Sequence, residues 1–214
     1  MEISSKTDIR PLYNSRIIDS YIKLINKKYS YVNVSSLLRH ANIAPYEVAD
    51  EGHWFTQEQI NLFHEKLSQA TQNKNISREA GRYSVSSDAI GIMRPFVLGL
   101  VDPSTVYNMI GKLTKKFTKS AKYESKKISS NKVEVIVSTR EGIREKPFQC
   151  ENRSGFFEAI ALAFTNKLPK IEHPECIFKG GRTCRYIISW ESSSSAFWKK
   201  IRNYKLLFLS LTCL

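Results

Sequence analysis

Lys132-Val133-Glu134-Val135-Ile136-Val137-Ser138-Thr139 alternates, with Val133, Val135 and Val137 on one side and Glu134, Ile136 and Ser138 on the other. Successive side chains of an extended backbone point to opposite faces, so a period of two marks a strand. The residues before it recur at helical spacing. This octapeptide is therefore where an all-helical reading fails and an α+β reading begins.

Upstream, Ile17, Ile18, Tyr21, Ile22, Leu24 and Ile25 follow a candidate cap at Asn14 or Ser15 and predict a first amphipathic helix. Ser35 to His40 predicts a short second helix. It stops before Ala44-Pro45, because the residue preceding proline is pushed out of the helical region. Thr56 opens a third helix, with Gln59 completing a capping box and Phe55 and Ile60 placed as a hydrophobic staple. Asp88 to Leu100 is apolar and predicts a buried helix that kinks or ends at Pro95. Asp102-Pro103 is a cap with proline in the first turn, and predicts a helix through Val106, Met109, Ile110, Leu113 and Phe117.

Downstream, Glu151 to Phe164 returns to helical spacing, with Phe156, Phe157, Ile160 and Phe164 as its apolar stripe. Ile177-Phe178 and Cys184 to Trp190 flank Lys179-Gly180-Gly181-Arg182 and predict two strands around a glycine turn. The expected organisation is a helical leader over 1–80, a mixed α/β ligand-binding domain over 81–191, a basic linker over 192–205 and an apolar run over 206–214. Trp198, Lys199, Lys200, Arg202 and Lys205 precede that run, and this order begins a membrane span on its cytoplasmic side. Nine residues are about half a span. The expectation is a membrane-associated protein at the cytoplasmic face of the membrane, with an output domain or a span beyond Leu214.

The whole chain has 214 residues, 42% of them hydrophobic and 11% aromatic, which suffices for a real core and excludes disorder. Lys and Arg number 33 against 20 Asp and Glu, a net charge of +13, which points to an anionic partner. Lys112, Lys115, Lys116, Lys119, Lys122, Lys126, Lys127 and Lys132 concentrate part of it and make nucleic-acid binding the alternative function. The stretch contains no arginine and only Phe117 and Tyr123 as aromatics, so specific base reading is disfavoured.

Cys150, His173, Cys176 and Cys184 give the spacing C-x22-H-x2-C-x7-C, three thiolates and an imidazole, which is an allowed structural zinc set. Glu172 and Glu175 are alternatives to His173 as the fourth ligand. Buried cysteines are also ordinary small core residues. His40, His53 and His64 are scattered over the helical part and are expected to be surface or satisfied residues. No phosphate-binding glycine loop, Gly-x-Ser-x-Gly elbow or His-Glu-x2-His is present. A four-ligand zinc leaves no open position, so no enzyme activity is expected.

Cys150-Glu151-Asn152-Arg153-Ser154-Gly155-Phe156-Phe157-Glu158, with His173-Pro174-Glu175-Cys176 and Gly180-Gly181-Arg182-Thr183-Cys184-Arg185-Tyr186, resembles the 4-vinyl-reductase-type domain. That family also supplies the sensory domain of bacterial aromatic-responsive transcription activators. The resemblance spans about Tyr83 to Trp190. It implies zinc on Cys150, Cys176 and Cys184, with His173 standing where the aromatic sensors carry glutamate. It also implies a fold of the nitric-oxide-sensing and vesicle-tethering type, enclosing a pocket for a small hydrophobic effector. Ile90, Ile92, Phe96, Val97, Leu98, Phe156, Phe157, Ile160 and Phe164 are compatible with such a pocket. The longer arrangement is similar to amino-terminal sensory regions of bacterial membrane signalling proteins such as histidine kinases. The expectation is a bacterial signal-transduction sensor, compatible with a homodimer, acting on a C-terminal output module.

Overall fold

The computed structural model describes residues 9–86 and 102–191. The expected helix over Asp88 to Leu100, the linker over 192–205 and the apolar run over 206–214 lie outside the described residues. No helix among the described residues is long and apolar enough to cross a membrane.

The amino-terminal half is helical: α1 Ser15–Lys28, α2 Val34–His40, α3 Pro45–Ala49, α4 Gln57–Thr71 and α5 Ile76–Tyr83. Asn14 caps α1 by accepting from the amide of Arg16, and Thr56 caps α4 in a capping box with Gln59, as their sequences predict. The apolar stripes of these helices close on one another. Ile18, Leu24, Ile25, Leu37, Phe63, Leu67 and Ile76 are all essentially inaccessible to solvent. Two short strands, β1 Tyr13–Asn14 and β2 Trp54–Phe55, pair antiparallel and tie the start of α1 to the start of α4.

The carboxy-terminal half is a four-stranded antiparallel sheet in the order β3-β4-β6-β5 with one long helix against it. Its strands are β3 Ala121–Ser129, β4 Lys132–Thr139, β5 Lys170–Glu175 and β6 Cys184–Ser189. The deciding octapeptide is β4, with Val133, Val135 and Val137 buried and the alternate residues half-exposed. In the paired register Val135 faces Tyr186 and Val137 faces Cys184, so the buried sides of β4 and β6 form one continuous surface. Helix α8, Pro147–Thr165, covers that surface through Phe157, Ile160 and Ala161.

Three local expectations change. The segment expected as one helix from Pro103 is split into α6 Pro103–Asn108, α7 Ile110–Leu113 and a 3-10 turn, Thr114–Lys116. The amide of Met109 is shared between the carbonyls of Thr105 and Val106, which tightens the chain there. The lysine-rich stretch is in part a strand: β3 is an edge strand whose Lys122, Glu124, Lys126 and Lys127 are exposed, the composition that protects a free sheet edge. The hairpin partner of β6 is β5, and Ile177–Lys179 is a 3-10 turn. Pro174 sits in β5, where an edge position tolerates the missing amide and the register shifts between Glu172 and Glu175.

The two halves meet most tightly where α5 crosses α8. Gly81 and Gly155 face each other's helix. A Cβ on Gly81 would lie 2.0 Å from the carbonyl oxygen of Asn152, and one on Gly155 would lie 2.0 Å from that of Arg78. Glu158 of α8 accepts from both Arg78 and Arg82 of α5, and these guanidiniums hold its carboxyl below the usual range against the opposing effect of burial.

Candidate functional site

A cavity of about 570 Å³ opens between the helical half and the sheet half, within the range that holds a cofactor or small ligand. Helix α8 presents Gln149, Asn152, Arg153 and Phe156 to it, the i, i+3, i+4, i+7 face of that helix. Ile17, Tyr21, Ile60 and His64 line it from α1 and α4, and Leu113, Phe117 and Tyr123 from the sheet half.

The floor of the cavity is polar. The Arg153 guanidinium donates through Nε to the Tyr123 hydroxyl at 3.0 Å and through Nη2 to Glu145. Glu145 also accepts from the hydroxyls of Ser120 at 2.7 Å and Thr139 at 3.4 Å. The side chains of Arg153 and Glu145 are 7% and 0% exposed. Nη1 of Arg153 is buried and has no partner among the described residues. The Tyr13 hydroxyl bridges Gln57 and Gln149 across the two halves.

His64 lies against Phe148 of α8, and burial pushes its imidazole down to about 4, so the ring is neutral near pH 7. It makes no hydrogen bond to another described residue. Burial acts the other way on the cavity tyrosines, raising Tyr21 to about 12 and lifting Tyr13 and Tyr123 as well.

On the face of α8 turned toward the sheet, Cys150, His173, Cys176 and Cys184 converge, with their ligand atoms all within 4.8 Å of one another. The Cys150 sulfur is 3.9 Å from that of Cys176, 4.0 Å from that of Cys184 and 3.9 Å from both ring nitrogens of His173. Tyr186 stacks on His173 at 4.2 Å and its hydroxyl meets the Cys150 sulfur at 2.9 Å. The hydrogen bond between Cys150 and Cys184 holds the Cys184 thiol low and pushes that of Cys150 up. Glu172 and Glu175 are outside this set. Glu172 is exposed and pairs with Lys170, and Glu175 accepts from the amides of Arg182 and Thr183.

Sequence reasoning therefore assembled the thiol cluster but not the cavity. Of its pocket residues, Phe156 lines the cavity, Phe157 and Ile160 are core, and Phe164 packs on the core. Ile90, Ile92, Phe96, Val97 and Leu98 lie outside the described residues. His64, expected as a surface or satisfied residue, is a cavity residue, as are Glu145 and Arg153. The one available signal was the i, i+3, i+4 spacing of the polar residues Gln149, Asn152 and Arg153 in the first half of the helix, where Glu151 and Ser154 dilute it.

No protein-family model matches the sequence, and no curated protein matches it. Solved structures do. The Fe(II)NO state of an H-NOX protein from S. oneidensis matches 84% of this chain and 99% of its own, with a TM-score of 0.64 and 14% identity. An H-NOX protein from K. algicida in the unliganded Fe(II) state matches 85% and 98%, with a TM-score of 0.58 and 13% identity. A structure concerned with heme distortion in the H-NOX family matches 84% and 95%, with a TM-score of 0.65 and 18% identity.

The chain thus has the α+β fold of H-NOX domains, and two expectations are corrected. The assignment to a 4-vinyl-reductase-type domain rested on cysteine-spaced motifs over half the chain. The fold likeness runs through the amino-terminal helices as well, and it is to H-NOX structures. The assignment of zinc as the cofactor falls with it, because the structures that share the fold are iron and heme proteins. The Cys-His cluster stands as geometry, apart from the cavity.

Proposed function

We propose that this chain is a ligand-sensing domain that holds a heme in the cavity through His64 and biases a downstream output module. His64 carries the reading. Heme iron is held in proteins by histidine, thiolate, methionine or tyrosinate. Among the described residues, His64 is the one histidine that lines the cavity, and burial keeps its ring neutral with a lone pair to give. The cavity phenols stay protonated and hydrogen-bonded, and the three described cysteines belong to their own cluster. A heme bound there would supply an iron able to take a diatomic gas.

The protein's own part is to couple occupancy to shape. Helix α8 carries cavity residues on one face and Cys150 and Phe157 on the face toward the sheet. A ligand that prefers one setting of α8 over another shifts the population of both faces together. Titration of purified protein with hemin tests the reading. A saturable Soret shift that His64→Ala abolishes is expected, and hemin binding unaffected by that substitution would overturn it.

Cys150, His173, Cys176 and Cys184 are proposed separately as ligands of one thiophilic metal ion. A tetrahedral ion with metal–sulfur bonds of about 2.3 Å holds its sulfurs about 3.8 Å apart, close to the 3.9 and 4.0 Å spacings seen here.

A further inference from the structure

The carbonyl of Ser120 accepts from the amide of Arg140. Antiparallel pairing alternates from there, so Ala121, Tyr123, Ser125 and Lys127 of β3 turn their main-chain groups away from β4. Helix α7 closes on this edge at Tyr123, whose carbonyl oxygen lies 2.5 Å from where a Cβ on Gly111 would sit. Past Tyr123 the edge is open. The amides and carbonyls of Ser125 and Lys127 have no backbone partner among the described residues, and Lys126, Lys127, Ile128 and Ser129 are exposed. A row of unpaired strand donors and acceptors is a template for one more strand.

The side chains along the edge select that strand. Lys122 is paired with Glu124, whereas Lys126 and Lys127 make no ion pair with a described residue. A second copy of the chain would bring the same lysines to the edge, and like charges facing each other across a strand pair repel. The chain has no acidic segment of its own to offer, since Glu2, Asp8 and Asp88 are the only acids outside the described residues. A nucleic acid would engage the lysines and leave the main-chain groups unused. From the open edge and its unpaired lysines we infer that residues 125–129 of β3 are a docking edge for an extended acidic segment of another protein, which joins the sheet as a fifth strand. Carboxylates of that segment face Lys126 and Lys127, and Ile128, 49% exposed, offers an apolar contact beside them. None of these residues lines the cavity or belongs to the thiol cluster, so the inference stands apart from the heme reading.

The test titrates the purified full chain into three fluorescein-labelled probes and follows anisotropy: a peptide of alternating glutamate and valine, the same peptide with alternate backbone amides methylated, and a single-stranded oligonucleotide of equal charge. The methylated peptide keeps every charge and loses the donors that edge pairing needs, and it leaves the protein unaltered. The plain acidic peptide is expected to bind at least about 10-fold tighter than the methylated one, the loss of two or three hydrogen bonds, and tighter than the oligonucleotide. Lys126→Gln with Lys127→Gln is expected to weaken its binding roughly 2- to 30-fold, the effect of two cross-strand charge pairs. In the unsubstituted protein, the amides of Ser125 and Lys127 should exchange their hydrogens more slowly once the peptide is bound. Equal binding of plain and methylated peptides would reduce the attraction to charge alone and overturn the edge. So would no binding up to about 1 mM peptide, a tighter oligonucleotide, which would give the lysines to nucleic acid, or unchanged exchange at Ser125 and Lys127.

Discussion

The imidazole of His64 on α4 lies flat against the ring of Phe148 on α8, with centroids 3.9 Å apart and planes 6° from parallel. The stack joins the helical half to the helix that covers the sheet, on the wall of the cavity. It buries the imidazole, and burial lowers its pKa from 6.5 to about 4.

A pH dependence of stability follows. In the unfolded chain His64 takes up a proton as pH falls through about 6.5. In the folded chain it does so only near 4. Between these values the unfolded state binds more protons, so stability rises with pH there and is lost as pH falls, levelling off below about 4. The loss is at most on the order of 3 kcal/mol. Urea denaturation near pH 7 and near pH 4.5 should show the native protein losing more stability than His64→Gln. Parallel losses in the two proteins would refute the assignment.

Gly81 and Gly155 predict a second effect. Each sits where a methyl group would penetrate the backbone of the other helix, 2.0 Å from a carbonyl oxygen. Neither helix can yield without losing the contact of Glu158 with Arg78 and Arg82. Gly81→Ala or Gly155→Ala should each cost about 3 kcal/mol or more, read from denaturation midpoints. A loss under about 1 kcal/mol would mean that the helices do not cross this closely.

The Arg153–Glu145 pair predicts non-additivity. Arg153→Met alone leaves a wholly buried carboxylate with only the hydroxyls of Ser120 and Thr139, and should destabilise by about 3 to 5 kcal/mol. Adding Glu145→Gln should restore a good part of that loss, because no unpaired charge remains. A double-mutant cycle with no coupling would show that the two groups do not interact.

How much of this was legible in the sequence depended on how local the signal was. Asn14, Thr56 and Asp102 cap their helices as predicted because capping is decided within four residues. Strand β4 was legible because it is buried on one face only. Strand β3 was not, because an edge strand is exposed along most of its length and its lysines hide the period. Helix α5 was missed for a different reason: its short sequence Ile76–Tyr83 earns its place by fitting Gly81 against Asn152, a contact between residues far apart in the chain. The thiol cluster was readable from spacing because cysteine is rare. The cavity was not, since His64, Glu145 and Arg153 lie on separate segments and only folding sets them on one wall.

The cluster gives the last prediction. Cys150, Cys176 and Cys184 are buried on three different segments, the start of α8, the residue just past β5 and the start of β6. Three thiols and an imidazole packed within 4.8 Å are an arrangement that apolar packing alone has no reason to select. If an ion holds them, it links α8 to the hairpin, and its binding energy is part of the folding energy. Elemental analysis of protein purified without chelator should find about one equivalent of a transition metal. Removing it should lower the denaturation midpoint and speed the reaction of the thiols with a disulfide reagent. Cys184→Ser, which takes one sulfur from the set, should lower metal content while hemin titration still responds to His64, because none of the four cluster residues lines the cavity. Metal-free protein with unchanged stability and slow thiols would reduce the cluster to ordinary core packing.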